Sequence, residues 1–215
     1  MKKETISSTE TVELFLETSE AVRVKKEKIR RLDSACGDGD LGITINKGLK
    51  AVEEVLQGLE NEAPDLGKVL KKAGMAFNNK AASTFGVFFA TACMKSSKKI
   101  QGKTKLKLRD IANIFEASVN SIKERGGAKV GDKTILDALV PASKSIQNSL
   151  NNKESIPKAF QRAAQAAKKG AENTKGMQPK TGRAKQLGDQ ATDIQDPGAT
   201  VIYFFIEEIA DKLNS

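Results

Sequence analysis

Phe-Gly-Val-Phe-Phe-Ala-Thr-Ala-Cys-Met, from Phe85 to Met94, is apolar nearly all the way round, and it predicts the most buried helix of the chain. Outward from it, apolar residues recur about every 3.6 positions and almost nothing alternates with period two, so the expectation is an all-α protein. Val12, Phe15, Val22, Ile29 and Leu32 share one side of a long first helix that stops before Asp33. Leu49, Val52, Leu56 and Leu59 mark a second, and Leu66, Val69, Leu70, Ala73 and Phe77 a third. Beyond Met94, Ile111, Phe115, Val119 and Ile122 give a fifth, ending at Gly126-Gly127. Thr134 to about Leu150 is the sixth, with Pro141 a kink, and Ser155 to Gly176 the Ala-rich seventh, with Pro157 in its first turn. The last runs from Pro197 to Leu213 behind Asp196 as N-cap. Eight helices with short connections argue for a closed barrel or bundle of antiparallel helices, one domain over residues 1–215.

One connection breaks the pattern. From Gly176 to Asp196, Gly, Lys, Arg, Gln and Asp replace the apolar residues. A loop of that length inside a compact domain reads as a lid or as a solvated surface segment.

Composition narrows the chemistry. The 215 residues carry 36 Lys+Arg against 27 Asp+Glu, a net charge of +9, and no His. Without His there is no Ser-His-Asp triad, Cys-His dyad, His-ligated zinc or phosphohistidine within this chain. Cys36 and Cys93 match no CxxC motif and form no disulfide framework, which suits a reduced, cytoplasmic setting. The basic opening Met1-Lys2-Lys3 lacks the apolar run of a signal peptide, and no stretch is long enough for a membrane span. Lys95, Lys98, Lys99, Lys103, Lys105, Lys107 and Arg109 form a basic run without interleaved aromatics. Such a run fits an acidic protein partner better than nucleic acid.

The densest chemical signal is Asp33-Ser-Ala-Cys-Gly-Asp38-Gly-Asp40-Leu-Gly42. Carboxylates this close repel one another unless a cation neutralises them, and interleaved glycines let the backbone bring their oxygens together. Hard oxygen ligands suit Mg²⁺ or Ca²⁺. No Glu stands eleven residues after Asp33 or Asp38, so the loop is not an EF-hand. The plainer reading is an acidic turn in which Asp38 or Asp40 caps a helix. Gly131-Asp132-Lys133-Thr134 reads as a turn plus cap; Gly182-Arg183 places a guanidinium on the long loop; Asp196-Pro197-Gly198-Ala199-Thr200 opens a helix whose free N–H groups favour an anion.

Together with Asn46-Lys47-Gly48, these motifs occur in the order and spacing of one family. The chain resembles the ADP-binding L subunits of bacterial, phosphotransferase-system-dependent dihydroxyacetone kinases, from about Leu32 to the C-terminus. The resemblance implies a barrel of eight antiparallel helices with ADP/ATP bound at one end. It implies a phosphoenolpyruvate-dependent glycerone phosphotransferase in which an M-type phosphohistidine subunit rephosphorylates bound ADP. The γ-phosphoryl then passes to dihydroxyacetone, or a related ketose, on a K-type subunit. By the same resemblance Asp33, Asp38 and Asp40 hold two Mg²⁺ ions. Leu41, Gly42, Ile43 and Thr44 lie beside the phosphates with Ala82 and Ser83, while Gly126, Thr134 and Ile135 line the adenine and ribose. Arg183 reaches the phosphates as the catalytic residue from the 176–196 lid, and Asp196, Pro197 and Gly198 complete the site. Neither nucleic acid nor membrane is an implied partner, and a homodimer is left open.

Two positions depart from the family. Leu41 stands where His is usual, and Asn79-Lys-Ala-Ala-Ser-Thr-Phe-Gly86 replaces a longer Gly-rich phosphate loop. Lys80 either supplies charge that such a loop would lack or is a solvated helix end. The departures favour an alternative, a regulatory subunit that binds nucleotide or metal without transferring a phosphoryl group.

Overall fold

The computed structural model describes residues 3–59 and 63–215; Met1 and Lys2, which begin the basic opening, lie outside the described residues. In chain order the elements are β1 (Thr5–Ser7), α1 (Ser8–Val24), α2 (Lys26–Cys36), α3 (Leu41–Leu56), α4 (Leu66–Lys80) and α5 (Thr84–Lys99). There follow β2 (Lys105–Lys107), α6 (Leu108–Gly126), α7 (Leu136–Asn151), α8 (Ile156–Glu172), a 3₁₀ run (Arg183–Ala191) and α9 (Pro197–Asn214). Side-chain caps set several starts. Ser7 and Glu10 bond reciprocally at 3.2 and 2.8 Å ahead of α1. Asp65 accepts the Gly67 amide at 2.8 Å, Ser83 that of Gly86 at 3.0 Å, and Asp196 that of Ala199 at 2.7 Å. Gly127, left-handed at φ 62°, ends α6.

Amphipathic faces then close a ring. α3 packs on α4, α4 on α5, and so on through α9, which packs on α1, while α1 returns to α3. Glu17 meets Lys212 at 3.1 Å and Lys25 meets Glu208 at 2.6 Å, so α1 and α9 run antiparallel at the seam. Val12, Val22, Ile45, Leu49, Phe77, Leu136, Ile146 and Ile156 are fully buried. Each such side chain contributes about 1.5–3 kcal/mol against exposure. All-α architecture with eight barrel helices is therefore as expected, with one two-stranded pair added, in which Ile6 faces Leu106. Among the described residues no helix is long and apolar enough to cross a membrane.

Three expectations need correction. The long first helix is two helices, broken at Lys25, and its second half runs through Asp33 to Cys36. No Gly or Pro marks the break; Lys25 is instead drawn to Glu207 and Glu208 on α9 and to the Phe204 ring, 4.6 Å away. α5 is not the most buried helix, since Met94 is 47% exposed. A barrel stave always has an outside, and the apolar surplus of α5 goes to internal cavities and to Phe77, whose ring lies 4.6 Å from that of Phe89. Finally α8 stops at Glu172, and turns lead from there into the long connection.

Candidate functional site

Asp33 stands on the last turn of α2, and Asp38 and Asp40 in the connection that follows. Asp33 Oδ2 accepts the Leu41 amide at 2.9 Å, capping α3. Asp40, at the N-cap position, makes no side-chain cap bond of its own. Gly39 turns the chain at φ 75°, where a Cβ would collide with the Ser34 side chain. Oxygens of Asp33, Asp38 and Asp40 consequently lie within 4.8 Å of one another. Burial, and then Asp33, raise the pKa of Asp40 above the usual carboxylate range. The Arg183 guanidinium, brought over by the 3₁₀ run, bonds Asp38 and reaches Asp40 at 3.3 Å. A cation thus sits where repulsion demands one, and the all-oxygen set fits Mg²⁺.

This cluster lines a cavity of about 370 Å³, within the range of small-molecule sites. Leu41, Ser83, Gly126, Thr134, Ile135, Asp196, Pro197 and Gly198 line it together with the three carboxylates and Arg183. Gly42, Ile43, Thr44 and Ala82 do not. Gly42 faces α2, where a Cβ would lie 2.5 Å from the Lys26 carbonyl oxygen. Thr44 is buried in the first turn of α3, Ile43 is half exposed, and Ala82 is exposed. Lys80 ends α4 as an exposed residue away from the cavity lining, the solvated helix end of the two readings. Asn46-Lys47-Gly48 is structural: Asn46 accepts from Arg23 at 3.3 Å, and a Cβ at Gly48 would lie 2.5 Å from the Phe77 ring.

Apolar side chains complete the lining, namely Phe85, Phe88, Ile122, Ala128 and Leu136. None of these was singled out in the sequence for the site, although Phe85 and Phe88 fall on the first turns of a helix that starts there. An apolar cavity of about 190 Å³ lies behind, sharing Phe85, Phe88, Ile122 and Ile135.

Asp196 ties the floor together. Its backbone N–H donates to Thr174 Oγ1 at 2.8 Å and its carboxylate caps α9. Burial pushes its pKa up to about 7, against the lowering effect of the Ala199 amide. Burial, then the charges of Asp196 and Asp33, push the Cys36 thiol up to about 12, so it stays protonated. Gly131-Asp132-Lys133-Thr134 is a turn capped from inside, Asp137 accepting the amides of Gly131 at 2.6 Å and Thr134 at 2.7 Å. Lys133 is almost fully buried and donates to the carbonyls of Thr174, Thr192 and Ile194 at 2.7, 2.9 and 2.6 Å.

The basic run lies at the other end of the barrel. Ser83 to Phe88 open α5 at the cavity, whereas Lys98 and Lys99 close it; Arg109 opens α6, whose end at Gly126 lines the cavity. A helix of this length sets the two ends about 20 Å apart.

A model of the DAK2 domain matches residues 35–211. The chain is 30% identical to the PEP-dependent dihydroxyacetone kinase, ADP-binding subunit DhaL of Escherichia coli (strain K12), covering 95% of this chain and 97% of that protein. It is 31% identical to an L-erythrulose kinase of Pectobacterium atrosepticum, over 87% of this chain but 32% of that longer protein. Among solved structures, the dihydroxyacetone kinase of C. freundii shares the fold with a TM-score of 0.73 at 22% identity, over 94% of this chain and 34% of that one. A crystal structure of the C. freundii kinase in complex with AMP-PNP and Mg²⁺ gives a TM-score of 0.70 at 24% identity.

Proposed function

Because the chain belongs to the DAK2 domain family, we propose that it is the ADP-binding subunit of a kinase acting on dihydroxyacetone or a related ketose. The observation that carries this reading is the mixed lining of the cavity, in which three carboxylates and Arg183 share one chamber with Phe85, Phe88 and Ile122. A nucleoside diphosphate has the same mixed character, its charged end needing metal and guanidinium, its base needing apolar surface.

In this reading residues 1–215 are one cytoplasmic domain and 176–196 its lid. Asp33, Asp38 and Asp40 would hold Mg²⁺, which would supply positive charge to neutralise the diphosphate. Asp33 gives one oxygen to the Leu41 amide and keeps the other for the metal. Arg183 exchanges its carboxylate partners for phosphate oxygens and stabilises the charge that develops on the moving phosphoryl group. Asp196, Pro197 and Gly198 complete the lining of the cavity. Cys36 is no nucleophile while protonated, and the chain has no His. A phosphohistidine would have to lie on another chain, and the resemblance implies an M-type donor subunit and a K-type ketose-binding subunit.

Thermal unfolding of metal-stripped protein with Mg²⁺ plus ADP tests the proposal. Ligand at a hundred times its dissociation constant raises the midpoint by about 5–10 °C, and Asp38→Asn/Asp40→Asn abolishes the rise. One observation favours the second reading, a binding subunit without transfer. Only Ala81, Ala82 and Ser83 join α4 to α5, and the Ser83 hydroxyl is already engaged by Gly86. A full thermal shift with no phosphoryl transfer in the presence of both partner subunits selects that reading. No shift at all sinks both.

A further inference from the structure

Lys133 is almost fully buried and, among the described residues, has no carboxylate hydrogen-bonded to it, yet it lines the cavity. Its residue is 2% exposed, and its backbone is left-handed at φ 61°, a conformation that is costly without glycine. That geometry aims the ammonium between two strands of chain that enter and leave the long connection. Thr174, at the exit of α8, accepts one N–H; Thr192 and Ile194, at the return, accept the other two. All three donors are spent on carbonyls of the neck. One backbone bond crosses the same neck, from Gly176 N–H to the Thr192 carbonyl at 2.9 Å. Met177 to Ala191 run beyond this closure as an Ω-shaped loop that touches the body again where the Lys180 amide donates to the Asp132 carbonyl at 3.2 Å and where Arg183 meets Asp38 and Asp40. The tip carries Arg183, and the return strand runs within two residues into Asp196, whose own amide is bonded to Thr174.

We propose that Lys133 is a positioning residue that clasps the neck of the lid, fixing where Arg183 hangs and where Asp196 begins α9. The lid then moves from a fixed neck rather than peeling away from α8. The inference concerns the lid itself and holds whichever ligand the cavity takes.

Limited trypsin digestion without any ligand reads the clasp, because Lys180, Arg183 and Lys185 are exposed sites on the lid. Lys133→Ala is expected to speed lid cleavage about tenfold or more, since charged-donor hydrogen bonds are the strong ones. That variant deletes three methylenes and the ammonium, so n-propylammonium restores protection while n-propanol does not. Restoration by both, or by neither, assigns the effect to lost packing and overturns the proposal, as does unchanged cleavage. If Lys133→Ala does not fold, hydrogen exchange on the unaltered protein decides. Amides of 174–177 and 192–196 exchange far more slowly than those of 183–188 if the neck is clasped, and at the same rate if it is not.

Discussion

Asp196 shows how one side chain ties the site to the stability of the chain. Its folded pKa of about 7 lies above the ordinary value of 3.8, with burial the largest cause. Below about pH 4 it is protonated in both folded and unfolded states, and its contribution to stability is fully present. Between about 4 and 7 the unfolded chain gives up this proton while the folded one keeps it, so stability falls as pH rises and levels off above 7. Asp196→Asn keeps an oxygen for the Ala199 amide and removes the titration. Urea unfolding without metal should show the variant gaining on the parent from pH 4 to 7, by about 2–4 kcal/mol in all. Equal pH profiles for the two proteins would contradict the assignment. Residues of this kind differ in how far sequence exposes them. Asp33, Asp38 and Asp40 are readable because mutual repulsion is visible in their spacing. Lys133 is not, since a lysine in a Gly-Asp-Lys-Thr turn has every mark of a solvated one and only the return of a distant segment buries it.

At the level of the element, the barrel helices were legible because apolar residues recur along them at helical spacing and several begin at a side-chain cap. The break at Lys25 was not, because Val22 and Ile29 are both fully buried and the apolar side runs across it unchanged. Strands of three residues are likewise too short for alternation to register. The structural role of Gly48 was also hidden, since it depends on Phe77 from the neighbouring helix. Gly48→Ala forces Cβ into that ring and should cost about 1–3 kcal/mol in urea unfolding without changing ligand-free metal binding. A neutral result would mean that the α3–α4 contact relaxes freely.

Across the whole molecule, the Asp33, Asp38 and Asp40 cluster and the cavity occupy one end of the barrel, and Lys98, Lys99, Lys105 and Lys107 the other. The separation of about 20 Å exceeds the screening length of about 8 Å at physiological salt. Replacing those four lysines with Gln should therefore leave the midpoint shift with Mg²⁺ and ADP unchanged within about 1 °C; a smaller shift would show that the far end reaches the site. The closed ring has a consequence for the order of assembly. Its seam joins α1 to α9, contacts nearly the whole chain apart in sequence, and such pairings form slowly because the chain between must first be brought round. Asp196 and Gly198 open that same α9. Closing the barrel and completing the cavity are thus tasks of one helix, so a substitution that loosens the α1–α9 seam is expected to loosen the Asp196–Gly198 lining as well.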